Sequence, residues 1–221
     1  MTVDNFKIIQ DIIDLQNKSD DKFYLVQVLI RKGTHLNFNK SSKARAVKHF
    51  YITSNIDLEK YKKEIVFLCE STGARAYINL NARSYKNSAL KHISLITQAI
   101  EQKHESTVHS LYAKAINSTP IIDKKFWLLD FDRKDYASKD DMRLELAKIL
   151  YTVVPSGAFF ESIPSKAGFH IILEPFKKDT FVNECKLNNY SAELKTDSLT
   201  NLYIPNYDTL PNFDQISLEF P

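Results

Sequence analysis

Apolar residues recur along this chain with two different periods. Phe6, Ile9, Ile12, Ile13 and Leu15 fall near the spacing of one helical face, which predicts a helix over 4–16. FYLVQVLI at 23–30 is a short β-rich run ended by Gly33, and AVKHFYIT at 46–53 predicts a second strand. Asp57 as N-cap, an apolar face of Leu58, Tyr61, Ile65 and Leu68, and Gly73 at the C′ position predict the next helix. ARAYINLN at 74–81 alternates like a strand. From 86 to 116, Leu90, Ile93, Ile96, Ile100 and Leu111 predict a helical stretch that Pro120 ends.

The second half has a sharper rhythm. KFWLLDF at 125–131 predicts a strand, and Ser138 opens a helix whose first turn carries acids that suit its dipole. AFFESI after Gly157 and FHIILEPF after Gly168 predict two more strands, residues 178–186 a short helix, and SAELK and LTNLYI the last strands. The order β-α-β-β-α-β is that of a ferredoxin-like or RNA-recognition-motif-like (RRM-like) unit, so the fold class is α+β. We expect an N-terminal α/β lobe over 1–119 and an RRM-like lobe over 120–221, divided near Pro120.

Composition narrows what such a chain does. It has 221 residues, of which 43% are hydrophobic and 26% charged, enough for one large or two small packed units. Only 4 glycines exclude a Rossmann fingerprint or a phosphate loop, so phosphates would have to be held in another way. Two widely separated cysteines, Cys69 and Cys185, give neither a disulfide framework nor a zinc knuckle. With no apolar run long enough for a membrane span and no basic leader, the expectation is a cytoplasmic protein without a membrane partner.

The net charge of +3 hides an uneven distribution. Residues 31–120 hold 15 basic and 6 acidic side chains, whereas 121–221 hold 12 and 16. Within 31–48 stand Arg31, Lys32, Lys40, Lys43, Arg45 and Lys48 with no acid between them. Such a stretch can neutralise phosphates and release counterions, and it reads equally as a solvated surface loop.

Asp130 and Asp132 flank Phe131 at the end of an apolar strand. Alternation puts both carboxylates on one face and Phe131 on the other, toward the helices. Two carboxylates so placed suit Mg²⁺ or Mn²⁺, although by themselves they read more simply as a polar strand end running into a turn. His170 lies on the third strand of the unit, beside the first, and can therefore face Asp130. Alone it would read as a structural histidine.

FWLLDFD at 126–132 followed by PSKAGFHIILEPF at 164–176 resembles motifs I and II of the archaeo-eukaryotic primase (primase-polymerase) superfamily. Those motifs are a hydrophobic strand ending in DxD or DxE and a serine-containing turn that leads into a histidine strand. The second segment is similar to the version in polymerase domains of bacterial end-joining ligases. The resemblance covers residues 120–175. It implies an RRM-like catalytic lobe beside an α/β lobe, metal binding by Asp130 and Asp132, and nucleotide phosphate contacts by His170 with Ser165 and Lys166. The family's third acidic motif would fall on Asp197, or else on Asp208.

The implied chemistry is two-metal nucleotidyl transfer from nucleoside triphosphates to a primer or initiating nucleotide, in DNA replication or repair. The basic lobe would hold a DNA or RNA template or primer through Arg31, Lys32, Lys43, Arg45, Lys48, Arg75 and Arg83. Tyr77 and Tyr85 read either as base-stacking platforms or as ordinary packing. A separate helicase would supply unwinding. Two other classes fit the same residues: a non-catalytic nucleic-acid-binding protein on a degenerate primase fold, and a metal-dependent nuclease.

Overall fold

Strand alternation decides the first layer. A computed structural model of the protein describes residues 2–14, 20–31 and 44–206. In β2 (Lys22–Ile30), Tyr24, Val26 and Val28 point into the main core while Phe23 and Leu25 face a smaller aromatic cluster with Ile116. Around it an antiparallel sheet forms in the order β1 (Val3–Asp4), β10 (Leu199–Ile204), β4 (Arg75–Asn79), β2, β3 (Arg45–Ile52), with the short β5 (Arg83–Ser84) on β2. One face is covered by α1 (Phe6–Asp14) and α2 (Asn55–Thr72), which bury Phe6, Ile9, Ile12, Leu58 and Ile65 against it.

The cap of α2 is Ser54, not Asp57: the Ser54 hydroxyl accepts from the Asp57 amide, while the Asp57 carboxylate turns back to the Thr53 amide at 3.1 Å. Gly73 closes the helix in the left-handed conformation at φ 66°, as its position predicts. The helical stretch over 86–116 is interrupted. After α3 (Tyr85–Glu101) the chain turns through Lys103 at φ 56°, and the His104 amide closes on Ala99 carbonyl at 2.7 Å. A 3₁₀ segment (Glu105–Ser110) then leads into α4 (Leu111–Ser118). No glycine marks that break, so the apolar period runs through it.

The second sheet contains β6 (Trp127–Asp132), β7 (Phe160–Pro164), β8 (Gly168–Leu173) and β9 (Glu193–Lys195), with α5 (Lys139–Thr152) after β6 and α6 (Lys178–Asn188) after β8. Its order is β7-β8-β6-β9 and every neighbouring pair is antiparallel. The first and third strands of the unit are thus central neighbours. Leu129, Phe131, Ile171 and Leu173 face Met142 and Ile149 of α5 and Phe181 of α6. Phe131 is fully buried there, a contribution of about 1.5–3 kcal/mol. The opposite face sends Leu128, Ile163 and Ile172 into the main core.

The last strand departs from expectation. β10 does not extend the second sheet; it pairs with β4 and β1 in the first, with Thr200 opposite Ile78 and Val3 opposite Ile204. Its alternation shows a buried strand but not which sheet receives it. Asn5, almost completely buried, reinforces the junction by donating to the carbonyls of Asn201 at 2.9 Å and Pro164 at 3.0 Å. No helix among the described residues is long and apolar enough to cross a membrane.

Candidate nucleotide and metal site

At the junction of the sheets, polar side chains replace the apolar ones on β6. Asp130 lies in register with His170 of β8 and with Glu193 of β9, so all three share a face. His170 is buried at 8% exposure, with Nε2 3.4 Å from Asp130 Oδ1 and Nδ1 2.9 Å from Thr200 Oγ1. A carboxylate only accepts, so the hydrogen facing Asp130 sits on Nε2 and a neutral ring accepts the Thr200 hydroxyl at Nδ1. The other oxygen of Asp130 takes the Lys195 ammonium at 2.6 Å, and that ammonium also reaches Glu193 at 3.1 Å.

These contacts set the ionisation of the site. The hydrogen bond from His170, opposed by burial and reinforced by the Lys195 ammonium, holds the Asp130 carboxyl far below the usual carboxylate range. Burial works against the Lys195 ammonium, but its bonds to Asp130 and Glu193 outweigh that and raise its affinity for the proton. The pair is therefore ionised near neutral pH.

Asp132 stands two residues on and lines a cavity of about 710 Å³. Its outer oxygen pairs with Lys134 at 3.1 Å, whereas its Oδ1 is buried without a hydrogen-bond partner among the described residues. The cavity is lined by the turn Ser165–Gly168, by Arg133 and Lys134 after β6, and by Lys139, Met142 and Arg143 from the first turns of α5. With Lys166 it holds five cations against one carboxylate. That volume is within the range of small-molecule sites, and the charge selects an anion.

Backbone contacts fix the turn. The Ser165 amide donates to Gly168 carbonyl at 3.1 Å and the Arg133 amide to Ala167 carbonyl at 2.8 Å. A Cβ on Gly168 would lie 1.8 Å from the Phe131 carbonyl oxygen. The glycine therefore serves the close approach of β8 to β6.

Other sequence-derived candidates lie elsewhere. Asp197 accepts from Asn79 and Asn81 at 3.1 Å and from Arg83 at 2.5 Å. Asn81 also holds the Phe126 carbonyl, four residues before Asp130 and so roughly 13 Å along the strand. Among the described residues no three His, Cys, Asp or Glu side chains gather as a metal-ligand group, and Asp197 does not join Asp130 and Asp132. Asp208, Lys32 and Lys43 lie outside the described residues.

The basic lobe is also only partly available. Arg83 is 4% exposed and spends its guanidinium on Asp197 and on the carbonyls of Asn81 and Ile116, so it is a structural group instead of a phosphate contact. Arg31 lies over the Tyr77 ring at 4.7 Å, and Lys48 pairs with Glu64 at 2.5 Å. Arg45 is exposed at the start of β3, and Arg75 is partly buried on β4. Tyr77 is buried, and Tyr85 packs on Phe23 with centroids 4.5 Å apart, so both are packing residues.

Glu193, Lys195, Thr200, Lys139 and Arg143 were not legible as site residues. Glu193 and Lys195 alternate on SAELK, but their meeting with Asp130 depends on strand register. Comparison of the chain with models of protein families, curated proteins and solved structures gives no match.

Proposed function

We propose that this chain is a primase-polymerase-like nucleotidyltransferase, which binds a nucleoside triphosphate in the basic cavity and transfers the nucleotide to a primer or initiating nucleotide. The observation that carries this reading is one juxtaposition: Asp132, two residues along β6 from the Asp130–His170 pair, lines a cavity together with the cation-bearing Ser165–Gly168 turn. The strand order and β-α-β-β-α-β connectivity of the second sheet support an RRM-like lobe.

In this reading Lys166, Lys139 and Arg143 neutralise the triphosphate, and Ser165 is placed to contact its oxygens. His170, oriented by Thr200, holds Asp130 in place. Asp130 and Asp132, with Glu193 opposite Asp130 on β9, would supply the hard oxygen donors that Mg²⁺ or Mn²⁺ prefers, and the orphaned Oδ1 of Asp132 fits that donor role. Bound there, the ions would acidify the attacking hydroxyl and offset charge on the leaving pyrophosphate. A DNA or RNA template or primer is the remaining partner, with unwinding left to a separate helicase.

The salt bridge from Lys195 to Asp130 favours a second reading, a nucleic-acid-binding protein on a degenerate primase fold whose carboxylates are neutralised by lysines. Primer-extension assays with labelled nucleotides and Mn²⁺ separate the two. Metal-dependent incorporation, lost in Asp130→Ala/Asp132→Ala, supports transfer; binding without incorporation supports the second reading; strand cleavage without nucleotides assigns the acids to a nuclease.

A further inference from the structure

We infer that the Lys195 ammonium is the resident occupant of a divalent-cation seat between Asp130 and Glu193, and that a metal ion enters only as Lys195 swings out. The proposal rests on the metal-binding reading above and adds a competitor built into the chain.

The geometry is that of a shared cation. Lys195 Nζ is 2.6 Å from Asp130 Oδ2 and 3.1 Å from Glu193 Oε2, so one positive centre bridges carboxylates from two adjacent strands. Both belong to the face that carries Asp132 and His170. A divalent ion bound by Asp130 and Glu193 would occupy the same volume, and two cations there would repel strongly at such range. The exchange is feasible because the Lys195 side chain is 34% exposed and that of Glu193 71% exposed, leaving both free to rotate toward water. Asp130, by contrast, is held by His170, whose other ring nitrogen is anchored on Thr200. The fixed wall and the movable ammonium make the seat selective for a cation whose charge outweighs that of one lysine.

Manganese binding, read from the loss of the free Mn²⁺ electron paramagnetic resonance signal, tests this on the full chain without a catalytic assay. Lys195→Met, which keeps the stem and removes the charge, should bind Mn²⁺ at least about tenfold more tightly than the parent. Lys195→Arg should not, and adding Glu193→Gln to Lys195→Met should cancel the gain. Equal affinity of Lys195→Met and a parent that binds Mn²⁺ overturns the proposal alone; no binding by either overturns the metal-site reading and the proposal with it. A parallel Mg²⁺ titration of the parent, following the Lys195 side-chain nitrogen resonance, needs no variant. Displacement of that resonance on saturation supports the exchange, and an unmoved resonance contradicts it.

Discussion

Thr200 Oγ1 and His170 Nδ1 lie 2.9 Å apart across the junction of two sheets, so a hydroxyl from the last strand of one sheet orients the buried imidazole of the other. The ring can then present only Nε2 to Asp130. Thr200→Val keeps the shape and removes the bond. It should cost about 1 kcal/mol in urea unfolding, with a larger relative loss in nucleotide affinity as the ring loses its orientation.

Gly168 carries a steric requirement that a binding experiment can miss. Because a Cβ there would meet the Phe131 carbonyl at 1.8 Å, Gly168→Ala must push β8 away from β6. Thermal unfolding should show a loss of about 1–3 kcal/mol, typical of overpacking, even without any ligand.

The second-half elements could be read from the chain because each carries its own signals: the cap at Ser138, the alternation around Phe131, the glycine before His170. The pairing of Asp130 with His170 followed from the order of four strands. What could not be read depends on long-range choices. LTNLYI has the pattern of a buried strand, yet it pairs with β4 instead of β9 and sends Leu202 into the main core. Asp197 lies between β9 and β10, but a buried arginine claims its carboxylate, and in the sequence Arg83 read as a phosphate contact. The bridging position of Lys195 required the β6–β9 register.

If the basic cavity holds phosphates, its cations should matter by charge. Lys166→Glu and Arg143→Glu should each weaken binding of a fluorescent nucleoside triphosphate by about tenfold or more. Affinity for the parent should fall with ionic strength, since these partners meet near solvent. Arg143→Glu at parental affinity would move the ligand away from α5.

Alkaline conditions probe the main core and the smaller aromatic cluster. Burial pushes the Cys69 thiol up to about 12 from its ordinary 9, and the Tyr51 phenol also up to about 12. The folded protein keeps these protons where the unfolded chain has released them. Their contribution is complete below the unfolded values and is lost as pH rises from about 9 toward 12. The urea midpoint should therefore fall between about pH 8 and about pH 10.5, less steeply in Cys69→Ala. Cys69 should resist alkylation until the chain unfolds.

The most direct test is single-turnover primer extension with Mn²⁺, comparing the parent with Asp132→Asn. The parent should incorporate nucleotide, and the variant should lose at least about 100-fold of that rate with nucleotide affinity and fold retained. Incorporation undiminished by Asp132→Asn, or none by a folded parent that binds both nucleotide and primer, would contradict the nucleotidyl-transfer proposal.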